Sequence, residues 1–193
     1  MGWLERLGDY LQLLPSGIGE IGLDRGCRTP PAEQMAVFRA QIAVARQRQL
    51  PVTIHCVRAW GKLRQALADD GPHEPGIILH GYGGPAEVVE VFLSLGGYFS
   101  FSFAVLGEGK DVAALRLVPE DRLLLESDAP YRCPPPELGG AGGLTLQGIN
   151  EPANLESLYT RVAAIRGVTP ATLAQTVAAN GRRILTKLGI PAA

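Results

Sequence analysis

Four side chains of types that bind divalent metals stand at or near the ends of apolar, strand-like segments. They are Glu20, His55, His80 and Asp128. Strands that alternate with helices pair in parallel, so their carboxyl ends gather at one face of a sheet. Two carboxylates and two imidazoles gathered at one face make a divalent-metal site. The pattern therefore predicts metal-assisted hydrolysis.

The carboxylates of this set suggest distinct catalytic roles. Asp128 is a candidate metal ligand or general base, and Glu20 is a candidate for a carboxylate that bridges two ions. Glu126 lies two residues before Asp128, so in an extended strand both would point the same way, with Glu126 orienting an imidazole or an arginine. Each residue also has a structural interpretation, such as a salt bridge for Glu20 or a turn cap for Asp128. His73, in a Gly- and Pro-flanked turn, is expected to be solvated.

Three arginines follow these motifs by three to five residues, namely Arg25, Arg58 and Arg132. If the motifs converge, the loops that carry the arginines converge too. Guanidinium groups suit a phosphate better than a neutral amide. The three arginines are therefore candidate substrate-binding residues.

The elements that must position these residues form a repeated strand–helix alternation. Strands are predicted at 17–23, 51–55, 76–80, 97–103 and 122–126. Helices are predicted at 3–14, from 30 to a stop at Pro51, and at 59–67, 85–95, 112–117, 152–166 and 170–188. The hydroxyl of Thr29 is expected to cap the second helix, and the Pro- and Gly-rich stretch 131–148 is expected to be a long loop.

Five parallel strands with helices permit an open doubly wound sheet or a portion of a (β/α)₈ barrel. The sequence contains neither a Gly-x-Gly-x-x-Gly nor a Walker pattern. Polar ligands at the ends of several strands are typical of barrel enzymes, although a full barrel takes about 250 residues. We predict one α/β domain over residues 1–193; a TIM-barrel-like fold fits the ligand positions, but the chain is short for a full barrel, so both architectures stay open on these grounds.

Composition narrows the partners and the location. A net charge of −1 argues against an extended basic groove but permits a small phosphate site. No apolar run approaches the length of about 20 residues that a membrane span needs, and the first residues lack a secretory signal, so we expect a cytoplasmic protein. Cys27, Cys56 and Cys133 show no CxxC spacing and are expected to be reduced thiols.

Several ordered motifs of the chain resemble those of the TatD-type metal-dependent deoxyribonucleases, and the resemblance spans nearly the whole chain. The motifs are Gly19-Glu20-Ile21-Gly22-Leu23-Asp24, Pro51-Val52-Thr53-Ile54-His55, His80-Gly81-Tyr82-Gly83-Gly84, Tyr98-Phe99-Ser100-Phe101-Ser102, Glu126-Ser127-Asp128-Ala129-Pro130-Tyr131 and Asn150-Glu151-Pro152.

The resemblance implies a (β/α)₈ barrel whose one- to three-metal site hydrolyses phosphodiesters, often from DNA ends. By position, Glu20, His55, His80 and Asp128 would be the metal ligands, with Asp128 and Glu20 taking part in catalysis. The implied cofactor is a divalent ion such as Mg, Mn or Zn, and the implied substrate is DNA or another phosphodiester.

The sequence departs from the family pattern at its front. Members begin with a strand that carries His-x-His, which is absent here. The first strand corresponds to about the fourth of the family barrel, so we expect an N-terminally incomplete barrel with about five of eight strands. Its open edge would be covered by the 3–14 helix or by a homo-oligomer. One metal site is expected rather than two.

Three functions fit these observations. The first is a TatD-type hydrolase acting on phosphodiesters in the manner of a DNA exonuclease. The second is a catalytically impaired remnant of that fold that acts as a binding or oligomerising module. The third is an amidohydrolase-type enzyme acting on a C–N bond, against which the arginines and the motifs argue.

Overall fold

The computed structural model describes residues 2–107, 112–135 and 149–190. Its strands are β1 (Ile18–Asp24), β2 (Val52–Val57), β3 (Ile77–Leu79), β4 (Gly97–Phe101) and β5 (Leu123–Leu125). Its α-helices are α1 (Trp3–Leu13), α2 (Pro31–Arg48), α3 (Trp60–Asp70), α4 (Val89–Ser94), α5 (Ala113–Leu117), α6 (Leu155–Arg166) and α7 (Pro170–Thr186). Short 3₁₀ turns occupy Ala86–Val88, Phe103–Leu106, Glu120–Arg122 and Pro152–Asn154.

Every predicted strand segment contains a strand, and the strands form one sheet in the order β1-β2-β3-β4-β5. The registered pairs are parallel. Parallel neighbours need a crossover between them, and an α-helix lies between each strand and the next; between β3 and β4 a 3₁₀ turn precedes that helix, α4. The predicted α/β alternation is therefore confirmed.

The chain divides into two compact units. The first comprises Met1–Leu79, Val91–Gly97 and Arg182–Ala193. In it, Gly22 of β1 pairs with His55 of β2, and Ile54 pairs with Leu79 of β3. Its apolar core includes Phe38, Ile54, Leu63, Leu79 and Phe92, all fully buried.

The second unit comprises His80–Glu90 and Tyr98–Gly181. Phe99 and Phe101 of β4 are fully buried, and the ring of Tyr82 meets both edge-on at 4.9 and 5.9 Å between centroids. The side chain of Asn180 donates hydrogen bonds to the carbonyls of Glu120 and Leu123 at 2.7 and 2.8 Å. Asn180 itself is buried, and these bonds satisfy backbone carbonyls of the turn before β5 and of its first residue.

The start of α2 differs from the prediction. Pro31 occupies the first turn, where a missing N–H costs nothing, but no side chain caps the helix and Pro30 stands at the capping position. The expected Thr29 cap is therefore wrong. The helix ends at Arg48, and Gln49 in the left-handed conformation (φ 54°) donates its N–H to carbonyls of the last turn.

The α1 helix leaves its apolar stripe largely exposed. None of its residues is buried, and Tyr10 and Leu13 are 68% and 72% exposed. We expected this helix to cover the open edge of the sheet. In the structure, any such cover leaves every residue of α1 at least partly exposed. No helix in the described ranges is long and apolar enough to cross a membrane.

Two expectations reach beyond the described residues. The single domain over 1–193 stays a prediction for the chain as a whole. Of the predicted loop 131–148, residues 136–148 lie outside the part of the chain that the structure describes.

His73 is buried, and the expectation of a solvated side chain is wrong. It is 3% exposed, and its ring Nε2 lies 2.8 Å from the carbonyl oxygen of Leu50. Its backbone N–H donates to the carbonyl of Leu95. Burial lowers the pKa of His73, with a further lowering from the charge of Arg46, and the hydrogen bond to Leu50 opposes both.

The burial of His73 predicts a loss of stability in mild acid. Its pKa in the folded chain lies below the unfolded value of about 6.5, so below that pH the unfolded chain binds more protons. The free energy of unfolding should therefore fall as pH drops from about 6.5 towards the folded pKa, by at most about 1.4 kcal/mol per pH unit from this group.

The measurement is urea unfolding between pH 7.5 and 5, with His73→Asn as the variant that cannot titrate. The variant should show a shallower dependence on pH than the native chain in this window. Equal slopes in the two proteins would contradict the assignment.

Candidate metal centre

In the first unit, His55 of β2 has a carboxylate near each ring nitrogen. Its Nδ1 lies 3.8 Å from Oε2 of Glu20, and its Nε2 lies 3.4 Å from Oδ2 of Asp24. Both carboxylates belong to β1, on either side of Gly22, which is the residue registered with His55. The parallel pairing of β1 with β2 therefore brings Glu20 and His55 together, as predicted, and adds Asp24.

Gly22 permits this pairing. Its φ of 147° lies in a region that side chains rarely adopt, and a β-carbon at this position would collide with the carbonyl oxygen of His55. A glycine is therefore required for β1 and β2 to approach at this point.

Asp24 is a residue of the site that the sequence interpretation missed. Its backbone N–H donates to Oε1 of Gln34 at 2.8 Å, and Nε2 of Gln34 donates to the carbonyls of Asp24 and Thr29. Oδ1 of Asp24 accepts from the N–H of Gly26 at 2.6 Å. The signal in the sequence was an aspartate that closes the apolar run containing Glu20.

In the second unit, His80 follows β3 directly and also lies between two carboxylates. Its Nδ1 is 2.9 Å from Oε2 of Glu126, and its Nε2 is 3.7 Å from Oδ1 of Asp128. A carboxylate only accepts, so Nδ1 is the donor and a neutral ring keeps its lone pair on Nε2. Of the two partners predicted for Glu126, an imidazole or an arginine, the structure shows the imidazole.

Asp128 reaches the ring by a different route from the one predicted. β5 ends at Leu125, and Asp128 adopts the left-handed conformation with φ 54°. Glu126 and Asp128 therefore do not share one side of an extended strand. They lie instead at opposite nitrogens of one imidazole.

The turn that carries Asp128 is tied by Asn150, which is buried. Nδ2 of Asn150 donates to the carbonyls of Ser127 and Arg132 at 2.6 and 3.1 Å, and its backbone N–H donates to the carbonyl of Pro130. Its Oδ1 accepts from the Asn154 side chain. Asn150 belongs to one of the ordered motifs of the sequence, but no local pattern indicated this role.

The three candidate arginines differ in their surroundings. Nε of Arg132 lies 3.5 Å from Oδ2 of Asp128, so this guanidinium is close to a predicted ligand. Arg25 and Arg58 are exposed, and within the described ranges neither forms an ion pair with a predicted ligand. Their role in substrate binding stays a prediction.

Comparison with known proteins decides the family, since the sequence profile of the TatD related DNase family matches residues 2–186. This chain belongs to that family. It is 36% identical over 180 residues to a protein of Rahnella named 3′-5′ ssDNA/RNA exonuclease TatD, covering 90% of this chain and 67% of the relative. It is 29% identical over 187 residues to the uncharacterized metal-dependent hydrolase YabD of Bacillus subtilis, covering 95% and 69%. The predicted TatD-type metal-dependent hydrolase is thereby confirmed.

Solved structures agree on the fold of this TatD-family chain. An uncharacterized amidohydrolase from Saccharomyces cerevisiae superposes with a TM-score of 0.81 at 20% identity, covering 94% of this chain and 70% of that one. YJJV, a TatD homologue from Escherichia coli, gives 0.79 at 23% identity, covering 97% and 70%. At these identities the likeness concerns the fold alone, and it confirms the TIM-barrel-like class.

Membership in the TatD family implies a divalent metal, and the donor set fits one. Imidazole and carboxylate groups suit Zn, Mn, Co and Mg. Oε1 of Glu126 is buried with no hydrogen-bond partner among the described residues, and an unsatisfied carboxylate oxygen favours a nearby cation or donor. Within residues 2–107, 112–135 and 149–190, however, no three His, Cys, Asp or Glu side chains are grouped as a metal site requires. The four-residue ligand set therefore stays a prediction.

A cavity of about 340 Å³ adjoins His55 in the TatD-family chain. Its polar lining is Glu20, Asp24, Cys27, Gln34 and His55. Cys27 is exposed, and hydrogen bonding with Thr29 lowers its pKa. Cys56, in contrast, is buried, and its desolvation raises its pKa to about 12.

These differences predict selective alkylation of Cys27. The thiolate is the reactive species, so an exposed thiol of lowered pKa should react at least about 10-fold faster than a buried one of raised pKa. Iodoacetamide labelling of the native protein, followed by peptide mass spectrometry, measures the two rates. Cys27→Ser should remove the fast reaction at this position and leave the slow reaction of Cys56 unchanged, and comparable rates at Cys27 and Cys56 in the native chain would show the burial assignment to be wrong.

The hydrogen bonds of Asn150 predict a local effect on the Asp128 turn. Asn150→Ala leaves the carbonyls of Ser127 and Arg132 without these donors, which should cost about 1–3 kcal/mol of stability. Amide exchange at 127–132 should accelerate, as measured by hydrogen–deuterium exchange.

Asn180→Ala is the matched control, because it also removes two hydrogen bonds to carbonyls but at Glu120 and Leu123. It should destabilise the chain without a selective effect on 127–132. Unchanged exchange in that turn for Asn150→Ala would refute the positioning role.

Proposed function

We propose that this chain is a divalent-metal-dependent phosphodiesterase that releases nucleotides from the ends of single-stranded DNA or RNA. The observation that carries the proposal is the His80 ring, whose Nδ1 is held by Glu126 while Nε2 faces Asp128. This leaves an imidazole lone pair and a carboxylate next to each other, as metal-assisted hydrolysis requires. The name of the Rahnella relative supplies the substrate class.

The proposed metal ligands are Glu20, His55, His80 and Asp128. Support comes from the position of each on or shortly after a strand of a parallel sheet, and from the carboxylate close to each of the two imidazoles. Asp24 lies near His55 and is a further candidate. A bound divalent ion would supply Lewis-acid polarisation of a phosphoryl oxygen, with Mg, Mn and Zn as candidates.

The chain's own side chains would orient the His80 ring, transfer protons and bind the phosphate. Glu126 fixes the orientation of the His80 ring through Nδ1. Asp128 is the proposed general base, which accepts a proton from the attacking water, and Glu20 is the second proposed catalytic carboxylate. Arg132 is the proposed partner of a phosphate oxygen, with support from its Nε, 3.5 Å from Oδ2 of Asp128.

The other functions considered have less support. A catalytically impaired remnant is not favoured, because the family match covers residues 2–186 and both imidazole–carboxylate pairs are present. An amidohydrolase activity is suggested only by the name of the yeast protein, which shares the fold at 20% identity.

The expected cytoplasmic location and the expected homo-oligomer stay predictions. The exposed apolar residues of α1 are relevant to the homo-oligomer, because they offer a surface for contact between copies. Light scattering would test for this oligomer.

The test is release of nucleotides from a labelled single-stranded DNA in the presence of Mn²⁺ or Mg²⁺. Asp128→Asn should lower the rate at least about 100-fold, because it removes both a general base and a ligand charge. EDTA should abolish release by the native chain. The control is Asp9→Asn, the same chemical change on the exposed α1 helix, which should leave the rate unaltered.

Two results would overturn the proposal. One is absence of metal-dependent release by the folded native chain from both DNA and RNA. The other is an Asp128→Asn variant as active as Asp9→Asn, which would point to a contaminating nuclease.

A further inference from the structure

A second cavity of about 220 Å³ lies in the first unit and shares Asp24 and Gln34 with the cavity beside His55. Its other walls come from the end of β1 and from helices α2 and α3. It is smaller than the roughly 300 Å³ at which sites for whole small molecules begin, so it suits part of one ligand.

Two cationic side chains line this cavity, Arg25 after β1 and Lys62 on α3. Both are exposed, and neither forms an ion pair within the described ranges. The one carboxylate in the lining, Asp24, is already engaged by the N–H of Gly26 and by His55. The cavity therefore offers two positive charges to an anion, and its negative charge is directed elsewhere.

Apart from Gln34, whose amide bonds to the backbone of Asp24 and Thr29, the remaining lining is apolar and comes from Leu23, Pro31, Met35 and Ala59. Leu23 and Ala59 are buried, whereas Met35 is partly exposed and can contact a ligand. Methionine is flexible and polarisable, so it adapts to flat aromatic surfaces. A surface with cations at one part and apolar side chains at another matches a nucleotide, whose phosphate is charged and whose base is largely apolar on its faces.

We propose that this cavity is a subsite for the nucleotide next to the scissile phosphodiester. Arg25 and Lys62 pair with the phosphate of that nucleotide, and Met35 with its apolar neighbours contacts the base. The inference rests on the proposed function, because the cavity adjoins the Asp24–His55 pair. It extends that function by assigning Lys62 and Met35 to substrate binding.

The test compares two substrates that differ in the neighbouring phosphate. A single-stranded oligothymidylate has it, and bis(p-nitrophenyl) phosphate does not. Lys62→Gln should raise KM for the oligonucleotide about 5-fold or more and leave KM for the small diester within about twofold. Oligonucleotide binding, measured by fluorescence anisotropy in EDTA, should show a salt dependence lower by about 0.7 in slope, as expected for one lost phosphate contact on a single strand.

The chain offers matched controls for each part of the cavity. Arg64→Gln removes an exposed positive charge from the same helix α3 at a position that does not line the cavity. Val37→Ala shortens an exposed apolar side chain on α2, and Met35→Ala shortens one that lines the cavity. Only Lys62→Gln and Met35→Ala should raise KM for the oligonucleotide.

The outcomes separate the subsite from the proposed function. If the native chain hydrolyses both substrates but Lys62→Gln behaves like Arg64→Gln, the subsite is refuted and the phosphodiesterase stands. An equal rise in KM for both substrates also refutes it, because the small diester has no neighbouring phosphate. If the native chain neither hydrolyses nor binds the oligonucleotide, both proposals fail.

Discussion

The close approach of β1 to β2 at Gly22 and His55 is the constraint on which the first unit depends. Gly22 lacks the β-carbon that would strike the carbonyl oxygen of His55, so the two parallel strands can pair through this point. The same pairing sets Glu20 and Asp24 near the two nitrogens of one ring. Backbone geometry and the placement of reactive side chains therefore have one physical origin here.

The two units use similar means to hold their carboxylates. In each, an imidazole lies between two carboxylates, and a side-chain amide hydrogen-bonds to the backbone at or next to the aspartate. Gln34 satisfies backbone groups of Asp24 and Thr29, and Asn150 satisfies those of Ser127 and Arg132. Amides suit this task because one amide side chain both donates and accepts hydrogen bonds, and the backbone presents groups of both kinds.

The strands and helices could be predicted from the sequence because their signals are local. Continuous apolar runs marked β1, β2, β3 and β5, and the ends of the second and third of these runs marked His55 and His80. His73 was misread because its glycine and proline neighbours indicate a turn, whereas its burial arises from contacts with Leu50 and Leu95, distant in sequence. The left-handed turn at Asp128 and the role of Asn150 likewise depend on partners that no local pattern reveals.

Gly22 and Glu20 stand two residues apart, yet the fold constrains the two positions differently. Any side chain at position 22 disturbs the pairing of the strands, so purifying selection for folding alone would retain its glycine. The side chain of Glu20 is half exposed, with Oε2 3.8 Å from Nδ1 of His55. A gene copy released from selection for activity would therefore drift at 20 long before it drifted at 22.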